Sequence, residues 1–178
     1  MLCFSGFGPT SAMHPTQSHQ YLPNSADHNC FGCSPVNPSG LQMKFFADGE
    51  RVFSNVTIPD HLCGWSRIAH GGVITTILDE IMSWAALHFL KRITMTKSME
   101  IEFIKPVYIR RPLKAEGKVR EVTGKHDAVM EGILYNDKAV VCARSTAEFS
   151  IFSPKVAKRF GIADEASLKF FENVFGIK

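Results

Sequence analysis

Between residues 71 and 90, apolar side chains return every three or four positions: Ile74, Ile77, Leu78, Ile81, Met82, Ala85 and Phe89. That spacing draws one continuous stripe along a helix. Gly71 and Gly72 stand at the mouth of this helix, not in its interior. On either side the period changes to two. Upstream, Leu41, Met43 and Phe45 alternate with polar positions, and residues 52–58 are rich in β-formers. Asp48-Gly49 between them reads as a hairpin turn. Downstream, Met99, Ile101 and Phe103 alternate with Glu100 and Glu102 before Pro106. Residues 113–122, 128–134 and 139–152 read as three more strands, with turns at Gly124 and Asn136-Asp137.

Strand, strand, long helix and four further strands make an α+β arrangement, because the helix must cover its stripe with a sheet. The geometry this order predicts is the hotdog fold, an antiparallel sheet wrapped around one long central helix. Residues 1–26 are rich in Ser, Pro, Gly, His and Gln without a period and read as a flexible leader. The domain is expected over 27–152, opening with a turn-dense loop at 27–40 and interrupted by a loop at 59–69. Residues 153–178 have helical apolar spacing and read as an appendage docked on the domain or a partner.

Composition changes this picture little and excludes several classes. With 178 residues, 45% of them hydrophobic and 21% charged, the chain suits one globular domain with tails. A net charge of +3 with scattered basic residues argues against a nucleic-acid partner. No apolar run reads as a membrane span, and the first residues make a poor signal peptide. Five cysteines, of which only Cys30 and Cys33 are closely spaced, point to a reducing, cytoplasmic setting without a disulfide framework.

The first turn of a helix exposes unpaired N–H groups and a partial positive charge. Glycine there lets a carbonyl approach those donors closely, which is the chemistry of an oxyanion hole. His70 stands where Ser, Asp or Asn usually caps a helix. At about 100° per residue, Asp79 lies on the flank of the stripe with Thr75 and Met82, where a carboxylate could serve as base or nucleophile. Glu80 falls on the opposite flank, toward Thr76 and Ser83, and is expected to be solvated. Eight residues separate Gly71 from Asp79, about 12 Å along one helix. A donor and a base must both reach one carbonyl, so the two can act together only across two antiparallel helices.

The stretch His61-Leu62-Cys63-Gly64-Trp65-Ser66-Arg67-Ile68-Ala69-His70-Gly71-Gly72-Val73-Ile74 resembles the helix entrance of PaaI-like hotdog thioesterases. Leu78-Asp79-Glu80 resembles the acidic segment that follows it. Cys30-Phe31-Gly32-Cys33 with Asn37-Pro38-Ser39-Gly40-Leu41, and Phe103-Ile104-Lys105-Pro106, match flanking segments of the same family. The resemblance covers residues 27–152. It implies metal-free hydrolysis of acyl-coenzyme A thioesters by a homodimer or dimer of dimers. Gly71 would then donate its N–H to the thioester carbonyl, with Gly72 shaping the turn and His70 orienting substrate or turn. Asp79 of the partner subunit would activate water or attack the carbonyl, and Thr96 would assist the water. Strand alternation, however, sets Thr96 on the face of Glu100 and away from Met99 and Ile101. Some relatives carry an Asn or Gln in the loop where this chain has Ser66 and Arg67.

Remaining candidates are weaker. Cys30 and Cys33, with His28, His61 and Cys63, number enough for zinc, but their spacing is unfamiliar, and a loop with free thiols is the preferred reading. Neither metal nor cofactor is therefore expected. Arg110, Arg111 and Lys114 offer charge for the phosphates of coenzyme A, although an exposed basic turn is the preferred explanation. His88 and His126 read as surface or boundary residues, and Trp65 and Trp84 as pocket or core. The expected function is an acyl-CoA thioesterase; the alternative is a non-catalytic hotdog module that binds acyl-CoA as a sensor or accessory subunit.

Overall fold

A computed structural model describes residues 19–177. Short strands β1 (Gln20–Leu22) and β2 (Phe45–Ala47) precede β3 (Val52–Thr57). A 3-10 turn at Asp60–Leu62 and a small hairpin, β4 (Cys63–Trp65) and β5 (Ile68–Ala69), lead into α1 (Gly71–Leu90). Four longer strands follow: β6 (Ile93–Phe103), β7 (Pro112–Val122), β8 (Asp127–Tyr135) and β9 (Val141–Phe152). Helices α2 (Pro154–Arg159) and α3 (Glu165–Phe175) close the described chain.

The main sheet has seven strands in the order β1-β2-β3-β7-β8-β9-β6, antiparallel at every step. α1 crosses its concave face and packs most heavily on β7 and β8. The expected stripe is its buried face: Ile77, Leu78, Ile81, Met82 and Ala85 are fully buried. On β8 the buried positions alternate strictly, with Ala128, Met130 and Leu134 inward. This is the hotdog arrangement, one long helix held inside an antiparallel sheet.

Two glycines let the helix come so close. A Cβ at Gly117 on β7 would lie 2.5 Å from the Ile81 carbonyl oxygen, and one at Gly132 on β8 would lie 3.1 Å from Met82 Cγ. Among the described residues α1 is long and apolar enough to cross a membrane by length and composition, so the expectation that no apolar run is long enough is corrected. Its apolar positions are instead buried against the sheet.

Other departures from the expected pattern have local causes. Leu41 and Met43 are buried and extended, but Gln42 turns into positive φ (49°), so pairing starts only at Phe45. Residues 59–69, expected as loop, hold the β4–β5 hairpin, whose strands of three and two residues are too short to show a period. The leader reading ran through residue 26, yet Gln20–Leu22 pair with Phe45–Ala47 and Leu22 is buried. The remainder of that leader, residues 1–18, lies outside the described residues. At the other end α3 packs inward through Leu168 and Phe175, and Phe175 meets the Trp84 ring edge-on. Trp84 is thus core, stacked on Phe45, whereas Trp65 is 83% exposed.

Candidate active site at the helix

His70 caps α1. Its Nδ1 accepts the Gly72 N–H at 3.0 Å, and its carbonyl accepts from Val73 and Ile74. The ring therefore does the work of the usual Asn or Ser. With the Gly72 donor engaged, the Gly71 N–H is the first-turn donor left without a partner among the described residues. Phe103, 55% exposed at the end of β6, is the nearest side chain to the space a Cβ on Gly71 would enter.

Asp79 sits in the middle of α1, half-buried, and its Oδ1 accepts the Thr96 hydroxyl at 2.6 Å. Burial pushes its carboxyl above the usual range for Asp, and the Thr96 bond partly opposes that rise. Simple alternation had turned Thr96 away from Met99 and Ile101. The strand corrects this through a bulge. Thr96 pairs with Phe149, Ser98 with Glu148 and Met99 with Ala147, so Lys97 is the extra residue. Thr96 then shares the inward face of Phe149 and Ala147, and with it that of Met99.

Glu80 corrects a second expectation. It is not a solvated flank residue but lies under the 30–33 loop, where the Cys30 thiol donates to its Oε1 at 3.1 Å. Burial pushes its carboxyl up to about 8, reinforced by the neighbouring Cys30 charge. Cys30 is lowered by its hydrogen bond with Cys33, while Cys33 is raised by the same bond and by burial. The two cysteines form no disulfide. Nothing local in sequence announces this contact, which spans 50 residues. The other cysteine and histidine considered with them, Cys63 and His61, are not part of this cluster. His28 instead joins its Nε2 to Asn24 Oδ1 and accepts the Cys30 N–H on Nδ1.

The β4–β5 hairpin and residues 108–111 line a cavity of about 850 Å³ that is open to solvent. Ala69 donates to the Val107 carbonyl and Ile109 to the Arg67 carbonyl, which fixes the two segments together. Arg67, Arg110 and Arg111 line the cavity with Tyr108. Arg110 forms a two-pronged ion pair with Asp60, so its charge is already met. Arg111 and Arg67 have no acidic partner among the described residues. Arg67, at the tip of the hairpin, was not expected as a charge source. Lys114 points elsewhere, to Glu116.

Residues 67–143 match the family model of the thioesterase superfamily. The fold is shared with the E. coli PaaI protein, at a TM-score of 0.58, with 18% identity over 64% of this chain and 81% of that one. It is shared likewise with a Streptococcus mutans protein solved bound to acetyl-CoA, at a TM-score of 0.57, with 18% identity over 62% of this chain and 88% of that one. A Schizosaccharomyces pombe protein of uncharacterised function is 26% identical over 136 residues, 72% of this chain and 73% of its own. By fold, then, this is a hotdog protein, and its residues 67–143 are similar to the thioesterase superfamily.

Proposed function

We propose that the protein hydrolyses an acyl-coenzyme A thioester to the free acid and coenzyme A, in sites shared between two chains. The observation that carries this reading is the half-buried Asp79 carboxylate, fixed by Thr96 on a helix whose mouth offers the free Gly71 N–H.

Thr96 occupies Oδ1 and leaves Oδ2 to face a water. In its ionised form Asp79 takes a proton from that water as the oxygen adds to the thioester carbonyl. Negative charge gathers on the carbonyl oxygen, where the Gly71 N–H and the positive end of α1 stabilise it. Collapse of the intermediate breaks the C–S bond, and the proton passes to the departing thiolate.

One helix cannot supply both groups, since Gly71 and Asp79 are about 12 Å apart along it. β6 supplies a way to join two chains. It is the last strand of the sheet, 11 residues long, and its outer edge is unpaired among the described residues. A long edge of this kind is a template for another strand. Phe103 marks the Gly71 end of β6 and Thr96 the Asp79 end. Antiparallel pairing of two β6 strands centred near Met99 and Glu100 would set one chain's Gly71 beside the other's Asp79.

The choice of coenzyme A rests on the cavity at the β4–β5 hairpin, where Arg67 and Arg111 offer unmatched charge for phosphates. Thiol release from short, medium, long and aromatic acyl-CoA esters tests the proposal. Turnover of at least one class is expected, and binding without turnover of any would leave a carrier or sensor in its place.

A further inference from the structure

A cluster of ligand-bearing side chains lies outside the hydrolytic proposal. Cys30, Cys33 and Glu80 bring two sulfurs and a carboxylate oxygen within 4.8 Å of one another. We propose that this cluster is a zinc site which pins the 30–43 loop to the middle of α1.

The loop is built around the first cysteine. Ser34 donates to the Cys30 carbonyl at 3.2 Å, Leu41 to the Phe31 carbonyl at 2.9 Å and Met43 to the Gly32 carbonyl at 3.1 Å. At position 32 glycine leaves room for the carboxylate, because a Cβ there would lie 2.2 Å from Glu80 Cγ. The helix carboxylate therefore reaches up into the turn that carries both sulfurs.

Three groups that are each anionic when ionised repel one another at this range. Either they keep protons or they share a cation. A tetrahedral zinc ion holds its ligand atoms roughly 3.3–3.8 Å apart, so closing the cluster takes side-chain shifts of about 1 Å. Two thiolates select a borderline-soft ion over calcium or magnesium. On binding, zinc displaces the protons that the cluster holds, which leave to solvent, and no oxidant is needed. His28 is already committed to Asn24 and the Cys30 N–H, so the fourth position falls to water, reached past the half-buried Cys30. The ligand set differs from the one that sequence spacing brought together, and Glu80 is what the fold adds.

This proposal does not depend on hydrolysis. The test is a titration of the full chain, reduced and stripped of metal, with cobalt(II) as the spectroscopic probe. One equivalent is expected to give sulfur-to-cobalt charge-transfer and tetrahedral d–d absorption, bleached by one equivalent of zinc. Cys30→Ser and Glu80→Gln should each weaken cobalt binding at least tenfold. Asp79→Ala should bind cobalt as the wild type does, which separates this site from the hydrolytic one. Absence of a saturable cobalt spectrum in the folded wild type overturns the proposal, whether or not the variants fold. So does unchanged binding in Cys30→Ser, or a Cys30–Cys33 disulfide in protein kept reduced.

Discussion

The Thr96 hydroxyl stands 2.6 Å from Asp79 Oδ1 only because β6 carries an extra residue at Lys97. Without the bulge the same strand would point Thr96 to the outer face with Glu100. The irregularity thus re-aims one side chain at one carboxylate, a use to which bulges are often put. It also fixes which Asp79 oxygen is left for water.

Removing that hydroxyl should show in both rate and pH. In the proposed reaction Asp79 acts as a base only when ionised, so hydrolysis should rise with pH through its titration, above the usual carboxylate range because burial raises it. Thr96 stabilises the ionised form. Thr96→Val should therefore move the acid limb of kcat/KM to higher pH and lower the plateau roughly tenfold, about 1.4 kcal/mol of a charge-assisted bond. Profiles taken on chelator-treated protein check this, and an acid limb moving to lower pH contradicts the assignment.

His70 is a cap in the structure, and its variants should separate capping from catalysis. His70→Ala loses the acceptor for the Gly72 N–H and should cost about 1 kcal/mol in denaturant unfolding. His70→Asn should recover that stability. If it also recovers hydrolysis, the residue acts by shaping the turn; a stable but inactive His70→Asn assigns it a direct role with substrate.

Gly117 makes a prediction about the fold itself. A methyl group there would meet the Ile81 backbone at 2.5 Å, and backbone cannot swing aside as a side chain can. Gly117→Ala should lose about 2–3 kcal/mol or more, read as a drop in the urea midpoint. The same change at the solvent-facing Gly49, with open space around it, should cost far less.

The three arginines at the cavity should not behave alike. Arg111 is free to meet phosphate, so Arg111→Glu should raise KM for acyl-CoA several-fold with kcat nearly unchanged. The increase should shrink at high salt. Arg110→Ala should act mainly on the Asp60 pair and leave KM close to wild type. Equal effects from both would remove the distinction.

How much of this was legible depends on range in sequence. The helix from Gly71 to Leu90 could be read because its stripe repeats within a single element, and the long strands because their alternation does. Gly71, His70 and Asp79 could be put forward as candidates for the same reason, since they lie on that helix or cap it. The Thr96 bond was hidden by a bulge, which breaks the only rule alternation offers. Glu80 was misplaced because a helical wheel shows which flank a residue occupies but not what a distant loop lays over it. The β4–β5 hairpin was too brief to leave a pattern, and Arg67 was overlooked with it.

The most direct test of a site shared between chains mixes two inactive variants. Asp79→Ala removes the base, and Gly71→Pro removes the N–H while proline is tolerated at a first helical position. Each alone should lose nearly all acyl-CoA hydrolysis. Unfolded together and refolded, random pairing should restore about a quarter of wild-type activity, because half the dimers then hold one intact site of two. A mixture no more active than its parents, or an Asp79→Ala protein with full turnover, would contradict the account.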